Sequence, residues 1–164
     1  MSVEPSLGEL NEEEIQLVSG NITKNARADI VIMDYDGTQT SSYFDVSVIS
    51  AICDTHIEKE VLQTLKLGEK RKNTEYAARI KTQLGSNFYP LLFSSGGAIG
   101  PMALKTIKQI SRKRARCSLE NAGEIASEMK NDISMSLIKS RIQGLRCNRN
   151  SLATQIHNIR NSYD

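Results

Sequence analysis

The first half of the chain contains two short runs of apolar, β-branched residues. Residues 29–33 read D-I-V-I-M and residues 42–50 read S-Y-F-D-V-S-V-I-S, with the turn signal Asp36-Gly37 between them. Two such runs on either side of an Asp-Gly turn predict a β-hairpin. If the turn holds three residues, 36–38, then Asp29 lies directly opposite Asp45 in the hairpin.

A helical pattern follows the hairpin. It should begin at residue 54 or 55, where Thr55 and Glu58 have capping-box spacing, and end at Gly85, with Gly68 only weakening it. At about 100° per residue, one stripe of about 80° holds Leu65, Glu69, Lys72, Tyr76 and Ile80. That stripe should face the sheet, with Lys72 at its edge.

The rest of the chain predicts one strand and two helices. Residues 88–93 form the strand, in which Pro90 indicates a sheet edge or a bulge. A Gly-rich turn over residues 94–101 leads into a helix from 102 to about 115, with Pro101 suited to its first turn. A last helix from about 119 to 145 has one face made of Ala122, Ala126, Met129, Ile133, Leu137 and Ser140. Coiled-coil pairing of that helix is the weaker interpretation, because this stripe does not continue over many heptads.

The order hairpin, helix, strand, helix, helix predicts an α/β fold with a small mixed sheet. Residues 1–28 are expected to be a loop-rich, poorly anchored segment with a short helix at 11–18. Residues 29–147 form the predicted domain, and 148–164 a polar, frayed tail.

Length and composition fit a single domain of ordinary composition, since the chain has 164 residues, of which 39% are hydrophobic and 24% charged. No apolar run reaches about 18 residues, and the acidic start is unlike a secretory signal, so an intracellular protein, nuclear or cytoplasmic, without a membrane partner is expected. The three cysteines and two histidines lack paired spacing, which argues against a disulfide framework and a zinc finger.

The net charge of +2 conceals an uneven distribution. Residues 1–60 contain 12 acidic and 3 basic residues, whereas residues 61–164 contain 18 basic and 7 acidic residues. Such a division is typical of an acidic site beside a basic surface that binds a polyanion, although chance sorting of charges would look the same.

Two carboxylates facing each other in a hairpin repel, so Asp29 and Asp45 require a cation if they are paired as predicted. Mg²⁺ accepts one or two carboxylates and completes its shell with water and phosphate oxygens. Lys72 could then orient water or stabilise charge on a phosphate. The alternatives are a different register for the aspartates and a surface lysine that pairs with Glu69 or Glu75.

Several stretches together resemble the restriction-endonuclease-like domain at the C-terminus of reverse transcriptases of non-LTR (LINE-type) retrotransposons. They occur in the family's order and span most of residues 3–148. The stretches are Val3-Glu4-Pro5, Arg27-Ala28-Asp29, Asp45-Val46-Ser47-Val48, Glu69-Lys70-Arg71-Lys72 with Tyr76, Phe88-Tyr89-Pro90, Ser95-Gly96-Gly97 with Gly100, and Ile133-Ser134-Met135-Ser136-Leu137.

This resemblance implies a PD-(D/E)xK-type site in which Asp29, Asp45 and the carbonyl after Asp45 bind Mg²⁺ or Mn²⁺ and Lys72 is the catalytic lysine. The implied activity is nicking of DNA, so that the freed 3′ end primes reverse transcription, with element RNA or the reverse-transcriptase protein as further partners. Ala28 replaces the family's usual proline, and Ser47 stands where classical members carry lysine. The family's first helix and strand are not matched, so a truncated piece of such an element is expected.

Six basic residues without an intervening acid predict a phosphate-tracking helix: Lys105, Lys108, Arg112, Lys113, Arg114 and Arg116. A solvated helix face is the equal alternative. The turn at residues 94–100 is interpreted as a strand-to-helix connection rather than a phosphate site. The sequence thus favours a metal-dependent DNA endonuclease, with a non-catalytic nucleic-acid-binding remnant as the rival and a helical interaction module as a third option.

Overall fold

The computed structural model describes residues 2–3, 7, 27–50 and 60–160, of which 2–3 and 147–160 as backbone only. It is a mixed α/β fold, as predicted. Its elements are β1 (Ser2–Val3), β2 (Ile30–Met33), β3 (Ser41–Ile49), α1 (Val61–Leu84), β4 (Asn87–Ser94), α2 (Pro101–Ser118) and α3 (Ala122–Arg160). No helix in these ranges is long and apolar enough to cross a membrane.

The four strands form one sheet in the order β1-β2-β3-β4. The hairpin is confirmed, because β2 and β3 are antiparallel and pair from Ile30↔Phe44 to Met33↔Ser41, in the predicted register. β3 and β4 are parallel. Pro90 lies on β4, at an edge of the described sheet, where its missing N–H costs no ladder hydrogen bond.

The loop between β2 and β3 spans residues 34–40, so the connection is wider than a three-residue turn although the register is the one that such a turn would give. Asp34 N–H donates to Thr40 O at 3.0 Å. This bond preserves the register of the hairpin, and the residues between Asp34 and Thr40 form an open loop. Asp34 and Gln39 both have positive φ, and Asp34 Oδ1 accepts the Gln39 N–H. Aspartate tolerates the left-handed region, so a wider loop forms where the Asp-Gly pair alone indicated a tight turn.

The helix ends depend on local backbone conformation. α1 ends as predicted at Gly85, which adopts the left-handed conformation (φ 59°), and its predicted start at residues 54–55 lies outside the described residues. α2 begins at Pro101. The predicted start of α3 near Leu119 is wrong, because Leu119 (φ 60°) ends α2. α3 begins at Ala122 and its backbone continues to Arg160, past the predicted end at Leu145 and through the predicted tail.

Helices cover both faces of the sheet. On one face α1 packs so closely against β4 that a Cβ at Gly68 would collide with Leu92, which explains a glycine in the helix interior. On the other face α2 covers a ring cluster in which Tyr35 lies 4.9 Å from Phe44 and 5.2 Å from Tyr89. Successive side chains along β3 point to opposite faces of the sheet, so neighbouring residues lie in different environments.

Part of the N-terminal segment belongs to the core. Ser2–Val3 pair with β2, and Leu7 is only 1% exposed beside Ile80 and Ala28. The expectation of a poorly anchored segment is therefore wrong for these residues, because an edge of the sheet and an apolar site on α1 hold them. The helix expected at residues 11–18 lies outside the described residues.

Candidate functional site

Lys72 and Asp45 form a nearly buried ion pair between α1 and β3. Lys72 Nζ lies 3.1 Å from Asp45 Oδ2, and the two side chains are only 16% and 10% exposed. Ser47 Oγ donates to the same oxygen at 3.0 Å. The predicted stripe on α1 does face the sheet, since Leu65 and Ile80 are buried and Lys72 points inward. The alternative of a surface lysine paired with Glu69 or Glu75 is wrong.

Glu69 and Glu75 are engaged elsewhere. Glu75 Oε1 pairs with Arg71 at 3.0 Å along the same helix. Glu69 Oε1 accepts the Met102 N–H at 2.8 Å, one of the free amides at the N-terminus of α2. Burial raises the pKa of the Glu69 carboxyl. Glu69 therefore joins α1 to α2 just beyond the turn, close to Gly100, where a Cβ would lie 2.6 Å from Oε1.

Asp29 lies beside Asp45 without pairing with it in the ladder. Regular pairing ends at Ile30↔Phe44, and Asp29 N–H donates to Phe44 O at 3.0 Å. The carboxylate of Asp29 accepts the N–H of Val46, the residue that follows Asp45. The structure thus brings Asp29 to the chain segment of Asp45, although not by the strand-to-strand pairing predicted.

Neighbouring residues here carry oxygen atoms of the kind that bind a hard cation. Asp29 Oδ1 accepts no hydrogen bond within the described part of the chain. The N–H and C=O of one residue in an antiparallel strand point to the same side, so the Val46 carbonyl faces the Asp29 side of β3. Two carboxylates and one carbonyl fit Mg²⁺, which retains several waters. Among the described residues, no three His, Cys, Asp or Glu side chains form a fuller metal site.

The cations of α2 lie on the opposite face of the sheet from this group. Phe44 packs under α2 and precedes Asp45 on β3, so their side chains point to opposite faces. All six predicted residues on α2 are exposed. Arg114 pairs with Glu120 at 3.4 Å, and Lys113 donates to Asp34 O. The structure therefore does not unite the basic helix with Asp29, Asp45 and Lys72.

The remaining cations of α2 share one face. At about 100° per residue, Lys105, Lys108, Arg112 and Arg116 fall within about 80° of the helix circumference. No acidic partner of these four is found among the described residues. Arg112, Lys113 and Arg116 also border a cleft of about 300 Å³ between α2 and the loop of residues 34–40. The charges are thus arranged for contact with anions.

Asp36, which the sequence indicated only as part of a turn, is the most strongly hydrogen-bonded carboxylate of that loop. It accepts bonds from Thr38, from Asn87 and, at 3.2 Å, from the Tyr89 hydroxyl. The bond from Thr38, together with those from Asn87 and Tyr89, lowers the pKa of Asp36 to about 2. Burial, assisted by the Asp36 charge, raises the pKa of Tyr89 to about 12. Asp36 therefore acts as a structural anion joining the loop to β4.

The amides of the Gly-rich turn are already engaged by hydrogen bonds within the protein. Ser94 Oγ accepts the N–H groups of Gly96 and Ala98, and Gly97 N–H donates to Ser94 O. Gly100 N–H donates to Leu92 O. These amides are not presented to a phosphate, which supports the interpretation as a strand-to-helix turn.

Sequence reasoning also missed Arg79, whose side chain on α1 is fully buried and donates to Leu7 O at 3.3 Å. No pattern in the sequence distinguishes it from an exposed basic residue. The roles of Asp29, Asp45 and Lys72 as metal ligands and catalytic lysine stay predictions. Comparisons with protein-family models, with curated proteins and with solved structures give no match for this chain.

Proposed function

We propose that the chain is a metal-dependent DNA endonuclease with a restriction-endonuclease-like core, related to those of non-LTR retrotransposons. One observation carries the proposal: Lys72 reaches from α1 to within 3.1 Å of Asp45, and Asp29 binds the amide next to Asp45. Lys72 on α1 and Asp45 on β3 thus form a pair, and the carboxylate of Asp29, just before β2, is bound one residue further along β3. This is the residue set that the resemblance implies.

The charge of this group explains why the activity requires a metal. Asp29 and Asp45 contribute two negative charges and Lys72 one positive charge, so the group has a net charge of about −1. A phosphodiester, itself an anion, is repelled by such a group. Bound Mg²⁺ supplies the missing positive charge and lowers the pKa of water.

The protein's own side chains have distinct tasks in this proposal. Asp29, Asp45 and the Val46 carbonyl would hold the cation. The ammonium of Lys72, which now balances the charge of Asp45, would stabilise the negative charge that develops on the phosphate. Tyr76, whose ring centroid lies 5.2 Å from Lys72 Nζ, limits the directions that the lysine stem can take.

A nicking assay on supercoiled plasmid tests the proposal. The purified protein should convert the plasmid to the open circle with Mg²⁺ and not with EDTA. Asp29→Asn, Asp45→Asn and Lys72→Met should each lower the rate about 100-fold or more. Lys70→Ala is the matched control, because it removes an exposed lysine two residues away on α1. Absence of nicking, or nicking that survives Asp45→Asn, would reject the endonuclease.

The second candidate is a nucleic-acid-binding remnant without cleavage, whose targets would include DNA or the element's RNA. It is favoured by the four exposed cations on one face of α2, which lie on the opposite face of the sheet from Asp45. Binding of DNA that depends on Arg112 and Arg116, without nicking under any metal, would support this candidate against the first.

A further inference from the structure

The distal part of α3 extends beyond the sheet. Every side chain from residue 138 to residue 146 is exposed, and the helical backbone continues to Arg160. At about 1.5 Å per residue, the helix from residue 138 onward is roughly 35 Å long. Isolated helices are marginally stable in water, because most helical stability comes from packing of an apolar face. A second helix against this segment would supply that packing.

An apolar stripe runs along the projecting helix. Met135, Ile142 and Leu145 are 51%, 43% and 52% exposed, and Ile138 is also exposed. Successive members are alternately three and four residues apart, which is the a and d spacing of a coiled coil. In the sequence the same spacing continues through Arg149, Leu152, Ile156 and Ile159, with one basic residue among the apolar ones.

This stripe differs from the one predicted from the sequence. At about 100° per residue, Met135 and Ile142 lie on the side of α3 away from Ile133 and Leu137, which border the sheet side. Ser140, predicted on the packed face, is exposed. The stripe meets the packed face at Ile138, whose Cδ1 would lie 3.3 Å from a Cβ at Gly97. Beyond it, Ile142 and Leu145 are exposed.

The charged residues that flank the stripe are all basic. Lys139, Arg141 and Arg146 occupy the e and g positions beside it, and all three are exposed. Residues 133–160 contain no Asp or Glu. In a pair of identical helices, parallel or antiparallel, these positions would place cation against cation, which disfavours a second copy of this chain.

We propose that α3 from Met135 onward pairs in a coiled coil with a helix of another protein that has apolar a and d positions and acidic e and g positions. A lipid surface fits less well, because residues 119–160 contain no Trp, Tyr or Phe, the residues that enrich membrane-binding helices. The proposal is independent of the endonuclease, since none of its residues belongs to the site of Asp29, Asp45 and Lys72.

Binding of two synthetic heptad peptides to the full-length protein tests the proposal. Both have Leu and Ile at a and d, and they differ in carrying Glu or Lys at e and g. In fluorescence anisotropy, the acidic peptide should bind about tenfold or more tightly than the basic one. Ile142→Asp should weaken binding of the acidic peptide about tenfold or more, and Ser140→Asp, on the opposite side of the helix, should leave it unchanged.

A charge reversal makes the test independent of lost stability. The double variant Arg141→Glu and Arg146→Glu should prefer the basic peptide. Equal binding of both peptides, or a preference that the double variant keeps, would overturn the proposal. If the protein self-associates in sedimentation and Ile142→Asp abolishes that association, the partner helix belongs to a second copy of this chain and the proposal is wrong. If the protein binds phosphatidylserine vesicles and does not bind the acidic peptide, the stripe contacts a membrane surface and the proposal is wrong.

Discussion

Lys72 Nζ and Asp45 Oδ2 lie 3.1 Å apart, although the residues are 27 positions apart in the sequence and lie on different elements. Strand alternation turns Asp45 towards α1, and the helical period turns Lys72 towards β3. Because both side chains are largely buried, each charge depends on the other. In the proposed endonuclease, a cation bound at Asp45 would offset the charge that Lys72 now balances, so metal binding would weaken the pairing of Asp45 with Lys72.

Divalent metal should stabilise the protein through Asp29 and Asp45. A ligand that binds only the folded state adds about 2.7 kcal/mol at 100 times its Kd. Thermal unfolding monitored by circular dichroism should therefore show a higher Tm in Mg²⁺ than in EDTA. Asp29→Asn should remove that increase while keeping the Tm in EDTA, because an amide oxygen still accepts the Val46 N–H. Asp132→Asn, on exposed α3, is the control. If Mg²⁺ raises the Tm of Asp29→Asn as much as it raises the Tm of the wild type, the proposed metal site is contradicted.

Asp36 should make stability depend on acid pH. Its pKa is lowered from 3.8 to about 2, first by Thr38. A carboxyl with a lowered folded-state pKa stabilises the fold above its unfolded pKa and loses that contribution as the pH falls through the folded one. Asp36→Asn should therefore be less stable than the wild type at pH 7.

The difference between the wild type and Asp36→Asn should shrink between about pH 4 and pH 2, as measured by urea unfolding at each pH. A difference that stays constant over this range would show that Asp36 does not stabilise the loop through its charge.

Two glycine-to-alanine substitutions should change stability in opposite directions. In Gly100→Ala the new Cβ would lie 2.6 Å from Glu69 Oε1 and 2.8 Å from Leu92 O, so the contact between α1 and α2 must shift. Overpacking of this kind costs about 1–3 kcal/mol. Gly144→Ala, with open space around it in α3, should gain up to about 1 kcal/mol. If chemical denaturation shows the same change in the free energy of unfolding for both substitutions, the close packing at Gly100 is contradicted.

Nucleic-acid binding by α2 should depend on its unpaired face. Arg112→Ala together with Arg116→Ala should weaken binding of duplex DNA and reduce the slope of log K against log salt by about 0.9 for each phosphate that is no longer neutralised. The control, Lys113→Ala together with Arg114→Ala, also removes two cations, but these already contact Asp34 O and Glu120, so its effect should be smaller. Titrations at several salt concentrations provide the measurement. An equal decrease in affinity in both variants would show non-specific attraction rather than a defined face.

The sequence predicted the structure correctly where a single periodicity of the side chains determines it. Strand alternation predicts the hairpin register, the helical period predicts the inward face of α1, and Pro101 predicts the first turn of α2. Asp45 and Lys72 could be brought together because each periodicity places its residue on an identifiable face.

The parts that failed depend on contacts between distant residues. The wide loop at residues 34–40 is stabilised by Asp36, whose partners Asn87 and Tyr89 are 51 and 53 residues away, so the local Asp-Gly signal was misleading. Asp29 reaches Val46 through its side chain, a contact that strand pairing does not encode. The length of α3 was underestimated because its outer stripe has a different phase from the packed one.

Crystallography of the protein soaked with Mn²⁺ tests the central claim most directly. Anomalous scattering should locate one Mn²⁺ about 2.0–2.3 Å from carboxylate oxygens of both Asp29 and Asp45, with Lys72 Nζ moved away from Asp45 and towards solvent. Crystals of Asp45→Asn should lack that peak. A wild-type structure with no manganese at these residues, and with the pair of Lys72 and Asp45 intact, would contradict the account.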